Sequence, residues 1–128
     1  MREILFRGKT ACGAWVQGDL IHRKIWSSKF EVIRVDDSGF DNYTEYEIAT
    51  DTIGQFTGLT DRKEIKIFEG DIIKNEYEER KYQYFKVFYN EKKLQWEVMN
   101  KYGMRGILAN VIGKMEVIGN IFDNPDLL

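Results

Sequence analysis

The chain has 128 residues, 43% of them hydrophobic and 14% aromatic, which is enough apolar material for a packed interior and excludes a disordered chain. With 19 Lys and Arg against 21 Asp and Glu the net charge is -2, so no global field draws the protein to nucleic acid or to an anionic membrane, though a local basic face stays open. The single cysteine, Cys12, cannot pair within the chain, and no oxidising compartment is required.

The opening MREILFRGKTACG lacks the apolar core of a signal peptide, and no window approaches a membrane span. A cytoplasmic location is expected. Ile4 and Phe6 alternate with Glu3, Leu5 and Arg7 and start a strand. A turn follows over Gly8 to Gly13, and Ala14 to Ile21 returns as the second arm of a hairpin. Gly18 inside that arm points to a bulge or a close backbone approach. Phe30 to Val35 forms the next strand, with Phe30 and Val32 on one face and Ile33 and Val35 on the other. Asp36-Asp37-Ser38-Gly39 is a turn. Asp41 to Asp51 is expected as a loop ending in a short strand around Tyr46 to Ile48.

Gly54, Gly58 and Gly70 are expected to serve turns, and Asp71 beside Gly70 opens a strand. Asp61-Arg62-Lys63-Glu64 is a charged turn. Asn75 to Lys81 is polar and exposed. Tyr82 to Tyr89 is the most aromatic strand, with Phe85, Val87 and Tyr89 on one face and Tyr82, Tyr84 and Phe88 on the other. Leu94, Trp96 and Val98 alternate with Gln95, Glu97 and Met99 as its half-buried partner. Ile107 to Ile112 reads equally as a short helix or a strand, and Met115 to Phe122 is the last strand. Many short strands, glycine turns and no sustained helical spacing indicate an all-β protein.

Little catalytic chemistry is legible. Gly8-Lys9-Thr10 ends like a phosphate loop but lacks the preceding glycine and leads into a strand. Cys12 and the lone His22 form a weak nucleophile pair, and Ser27 or Ser28 sit in polar surroundings where serine is ordinary. One His and one Cys cannot build a structural zinc site, and no acidic spacing matches a calcium loop. Glu69 and Asp71 flank Gly70 like a catalytic pair, yet acids beside turn glycines more commonly accept backbone N–H bonds.

Two binding readings remain. Lys74, Arg80 and Lys81 are interleaved with Tyr77, Tyr82 and Tyr84, the pairing of cations and rings that holds single strands on barrels. Glu76, Glu78 and Glu79 in the same stretch offset that charge. Alternatively, if both faces of Tyr82 to Tyr89 are apolar, Tyr82, Tyr84, Lys86 and Phe88 form an interaction surface that a second copy or another protein covers.

The segments REILFRG and AWVQGDLI, then Thr52 to Asp61 (TIGQFTGLTD), Ile67 to Ile73 (IFEGDII) and Glu116 to Leu128 (EVIGNIFDNPDLL), resemble the YopX family of phage and prophage proteins over essentially the whole chain. The family's loop after Leu59 carries an extra glycine in many members, where this chain has Asp61 to Glu64. The resemblance implies a mostly β protein of temperate phages or prophages, working in the cytoplasm of the bacterial host cell, with an SH3-like later part and no catalytic residue set to transfer. The combined expectation is all-β with a small, mixed or partly open β-barrel architecture. It comprises an N-terminal β region over 1–60 and an SH3-like region over 61–128, or both in one intertwined domain. No enzymatic activity, cofactor or metal is expected. The expected role is a macromolecular-interaction module that forms a homo-oligomer or binds a host or phage protein, with a nucleic-acid-binding β-barrel as the alternative.

Overall fold

A computed structural model describes residues 2–37 and 42–128. The chain divides into two compact units, Met1–Phe56 and Thr57–Leu128. The division falls inside one strand, β5 (Gly54–Thr60).

In the first unit, β1 (Phe6–Lys9) and β2 (Trp15–Ile25) form the expected antiparallel hairpin, with Lys9 opposite Trp15. β2 continues beyond β1 and pairs with β3 (Ser28–Asp36) from Asp19↔Arg34 to Ile25↔Ser28. β4 (Tyr43–Ile48) pairs with β3, and the start of β5 pairs with β1, so the strands lie in the order β4-β3-β2-β1-β5. Val32, Ile33 and Ile48 are buried. β4 begins at Tyr43, earlier than the short strand expected, because each of its residues finds a backbone partner along β3. The second half of the turn expected at Asp36 to Gly39 lies outside the described residues.

Gly18 is a close approach, not a bulge. A Cβ built there would stand 2.1 Å from the Arg34 carbonyl oxygen and 2.9 Å from its carbon.

In the second unit, β6 (Lys66–Phe68) neighbours the end of β5, where the Thr57 hydroxyl donates to the Ile67 carbonyl at 2.8 Å. β7 (Asp71–Asn75), β8 (Tyr84–Asn90), β9 (Gln95–Met99) and β10 (Arg105–Ile107) form an antiparallel meander. A single helical turn, α1 (Leu108–Val111), leads to β11 (Met115–Asn120), which returns to pair with β7. The ambiguous stretch from Ile107 is therefore both: Ile107 ends a strand and Leu108 starts a helix.

The core of this unit follows the two-residue period of the strands. Ile73 pairs with Phe85 and Val87 with Val98, and these pack with Ile67, Leu108 and Met115. Tyr89 shares their parity but is 36% exposed, since the core ends before the last residues of β8. In place of the expected small, mixed or partly open barrel the strands form open sheets: the order here runs β10-β9-β8-β7-β11, and its two end strands do not pair with each other among the described residues.

Gly54 and Gly58, expected in turns, lie within β5, where Gly54 pairs with Arg7. Gly58 keeps a turn-like φ of +86° inside the strand. Gly70 sits between β6 and β7 at φ +87°, a conformation that disfavours any side chain. Asp71 is buried, and its carboxylate accepts the Phe68 N–H at 2.7 Å, so the acid beside Gly70 shapes the turn.

Candidate nucleic-acid interface

The face of the β7–β10 meander opposite the core cluster buries Ile72, beside Lys86, and is elsewhere partly open. Cross-strand pairing places Lys74 beside Tyr84, Lys86 beside Met99, and Phe88 beside Glu97 on this face. Tyr84, Lys86 and Phe88 are all half-buried, and a lysine sits between the two rings. The surface is thus an amphipathic strip and not a bare apolar face.

Tyr82 is not in the strand. It ends the 3-10 turn Arg80–Tyr82 that links β7 to β8, and this turn carries Arg80 and Lys81 to the rim. The β9–β10 turn brings Lys101 and Tyr102 to the same place. The rings of Tyr82 and Tyr102 meet edge to face, 5.0 Å between centroids. Lys81 Nζ lies 4.8 Å from the Tyr82 ring centroid, Lys101 Nζ lies 5.4 Å from that of Tyr102, and Lys74 Nζ lies 6.0 Å from that of Tyr84. Arg80, Lys81, Tyr84, Lys101, Asp126, Leu127 and Leu128 line a hollow of about 250 Å³.

Asp126 lines the same hollow as these cations, while three other neighbouring carboxylates are engaged elsewhere. Glu116, on the same face beside Lys74, is held by Arg62 at 2.8 Å and Lys63 at 3.3 Å. Glu76 lies 3.5 Å from Arg62. Glu97 is 5% exposed and binds Gln95, Arg105 and Asn90 at 2.6, 2.7 and 2.9 Å. The amide of Gln95 and the guanidinium of Arg105 hold its carboxyl below the usual range, as Arg62 and Lys63 do for Glu116. Among the described residues, Lys74, Arg80, Lys81, Lys86 and Lys101 are in no ion pair. The Tyr82 hydroxyl raises the pKa of the exposed Lys81 ammonium.

Sequence reasoning reached Lys74, Arg80, Lys81, Tyr82 and Tyr84 but passed over Lys101 and Tyr102. The repeated Lys-Tyr dipeptide at 81–82 and 101–102 was the available signal; their adjacency depends on the meander.

The first unit offers a larger hollow of about 540 Å³, lined by Asp19, Asp36, Arg34 and Tyr43 among others. Its charges are mixed. Arg34 stacks on Tyr43 at 4.0 Å and binds Glu45 at 2.9 Å, so its cation is already neutralised. Cys12 and His22 belong to separate partner sets. The Thr10 hydroxyl, 3.1 Å from the Cys12 sulfur, draws that exposed thiol below its ordinary value, while His22 Nδ1 stands 3.5 Å from Glu31. Ser28 pairs with Ile25 in a strand. No group of three His, Cys, Asp or Glu is placed to hold a metal ion among the described residues. No helix among them is long and apolar enough to cross a membrane.

No curated protein matches the chain. Residues 5–128 match the YopX protein family, a range that takes in every segment that carried the resemblance except its first three residues, Arg2 to Ile4, and the chain belongs to that family.

Proposed function

We propose that this chain is a binding protein without enzymatic activity, and that the β7–β10 face holds single-stranded nucleic acid. The observation carrying this reading is the gathering of five cations outside any ion pair beside Tyr82, Tyr84 and Tyr102. Cations neutralise phosphates and release their counterions, and exposed rings stack with bases of any sequence. Tyr102, 51% exposed, presents free ring surface. Non-enzymatic action is supported by the occupation of the buried acids: Asp61, Asp71 and Glu97 each accept hydrogen bonds that shape the fold. Family membership supports a phage or prophage origin and action in the cytoplasm of the bacterial host. The helical turn before β11, and the return of β11 to the first strand of the meander, support an SH3-like second unit.

The test is anisotropy of a labelled oligothymidylate across a salt series. The logarithm of affinity should fall linearly with that of salt, with a slope near -3.5 if all five cations contribute about 0.7 each. Lys101→Gln should reduce the slope by about 0.7, and Tyr102→Ala should cost about 1–3 kcal/mol. An oligonucleotide that fails to bind at low salt would remove this reading.

A second reading, self-association, rests on Trp26. β2 and β3 extend past their outer neighbours as a hairpin whose tip presents Ile25 at 57% and Trp26 at 92% exposure. Trp26 also adopts φ 58°, where Asn or Gly is favoured. A strained tryptophan that gains nothing from burial suits a contact with a second copy. Trp26→Asn should raise Tm by a few degrees, through relief of about 1 kcal/mol of backbone strain, and shift sedimentation to the monomer. Identical sedimentation of variant and parent would count against self-association through this tip.

A further inference from the structure

Four turns of the second unit are built on an asparagine whose side-chain oxygen accepts backbone N–H bonds. Asn75 accepts from Tyr77, Asn90 from Lys92 and Lys93, Asn100 from Tyr102 and Met104, and Asn120 from Phe122 and Asp123. These bonds fix which end of each amide faces the turn, so the opposite end, Nδ2, points elsewhere. Asn90 Nδ2 donates to Glu97 at 2.9 Å and Asn120 Nδ2 to Asp123 at 3.2 Å. In both, the partner is a carboxylate.

Asn100 differs. It is 4% exposed, and its Nδ2 is buried with no acceptor among the described residues. Its Oδ1 is committed to Tyr102 N at 3.0 Å and Met104 N at 2.9 Å, so the amide cannot turn over without losing both bonds. Asn100 lines a hollow of about 290 Å³ with Lys86, Lys101, Met99, Gly103 and Leu128. A buried N–H without a partner, in a hollow lined by two lysines, is a setting that an oxyanion acceptor would satisfy. The volume lies at the small end of ligand sites and suits one phosphate group. The hollow shares Lys101 and Leu128 with the one lined by Arg80, Lys81 and Tyr84.

We propose that Asn100, Lys86 and Lys101 form a phosphate subsite, which in the nucleic-acid reading holds one backbone phosphate while the tyrosines take the bases. The subsite deepens that reading but has its own readout. The Asn100 side-chain amide gives a distinct pair of nitrogen–proton resonances, to be followed in the full chain during titration with inorganic phosphate and, separately, with a short oligothymidylate. Movement of this pair with either probe is expected. Saturation by the oligonucleotide at concentrations where inorganic phosphate has no effect identifies a backbone phosphate as the ligand. Saturation by both at similar concentrations identifies a free phosphate group. Lys101→Gln should weaken the response several-fold, and Asn100→Asp, which keeps the turn oxygen but sets a carboxylate against the anion, should weaken binding tenfold or more, followed through the backbone amide of Lys101 because the side-chain pair is lost.

An Asn100 pair that moves with neither probe, while Tyr102 shifts with the oligonucleotide, would overturn the subsite and leave the nucleic-acid face standing. Movement with inorganic phosphate, with no oligonucleotide binding at low salt, would uphold the subsite and overturn the nucleic-acid reading.

Discussion

Gly18→Ala is expected to destabilise the protein by at least about 3 kcal/mol, through a clash that the surrounding strands cannot relax. The added methyl group would stand 2.1 Å from the Arg34 carbonyl oxygen, and the obstructing atoms belong to backbone. Arg34 is held on both sides, by Asp19 on β2 and by Glu45 on β4. Relief requires β2 and β3 to separate where their pairing begins. Denaturant unfolding followed by circular dichroism measures the loss, and hydrogen exchange locates it: amides of β2 and β3 should lose protection first. An alanine variant as stable as the parent would mean that the two backbones do not approach this closely.

Asp61 should rank next. It is 5% exposed in a turn that looks merely charged in sequence. Its Oδ1 accepts from the backbone N–H of Lys63 at 2.8 Å and of Ile65 at 2.9 Å, and its Oδ2 accepts from Val117 N–H at 2.8 Å. One carboxylate therefore closes the turn before β6 and fastens it to β11. Asp61→Ala orphans three N–H groups and should cost about 3 kcal/mol or more, since each unsatisfied buried donor costs roughly 1–3 kcal/mol and water rescues those near the surface. Asp61→Asn keeps the turn oxygen but sets an amide N–H against that of Val117, and should cost about 1–2 kcal/mol. The order parent, Asn, Ala in denaturant midpoint is the expected result. An Asn variant as stable as the parent would show that the link to Val117 contributes nothing, and equal midpoints for the two variants would show the same of the turn bonds to Lys63 and Ile65.

Asp61 and Gly18 were legible to different degrees. The glycine inside an apolar strand already signalled a bulge or a close approach, because a missing side chain is visible in the sequence. The carboxylate was not separable from Arg62, Lys63 and Glu64, because burial of a polar residue depends on its acceptors, and one of these bonds spans 56 positions of sequence. The hairpin arm from His22 to Lys29 was passed over for a related reason. Charged residues alternate there without a clear apolar face, and the strands are held by each other's backbones.

The sequence by itself determined the all-β character, the first hairpin and the two faces of β8, with Phe85 and Val87 inward and Tyr84, Lys86 and Phe88 outward. Strand alternation is local sterics, written at a period of two residues. It also determined family membership, since five ordered segments identify a chain without reference to any contact. Only the tertiary structure decided that Gly54 and Gly58 lie within a strand, that the strands form open sheets, and that Lys101 and Tyr102 stand beside Tyr82. Only it decided that Glu116 and Glu97 are held by other cations while Lys74 and Lys86 are not. Partner choice among charges and amides is set by which turns the topology brings together, and nothing within a few residues of each group encodes it.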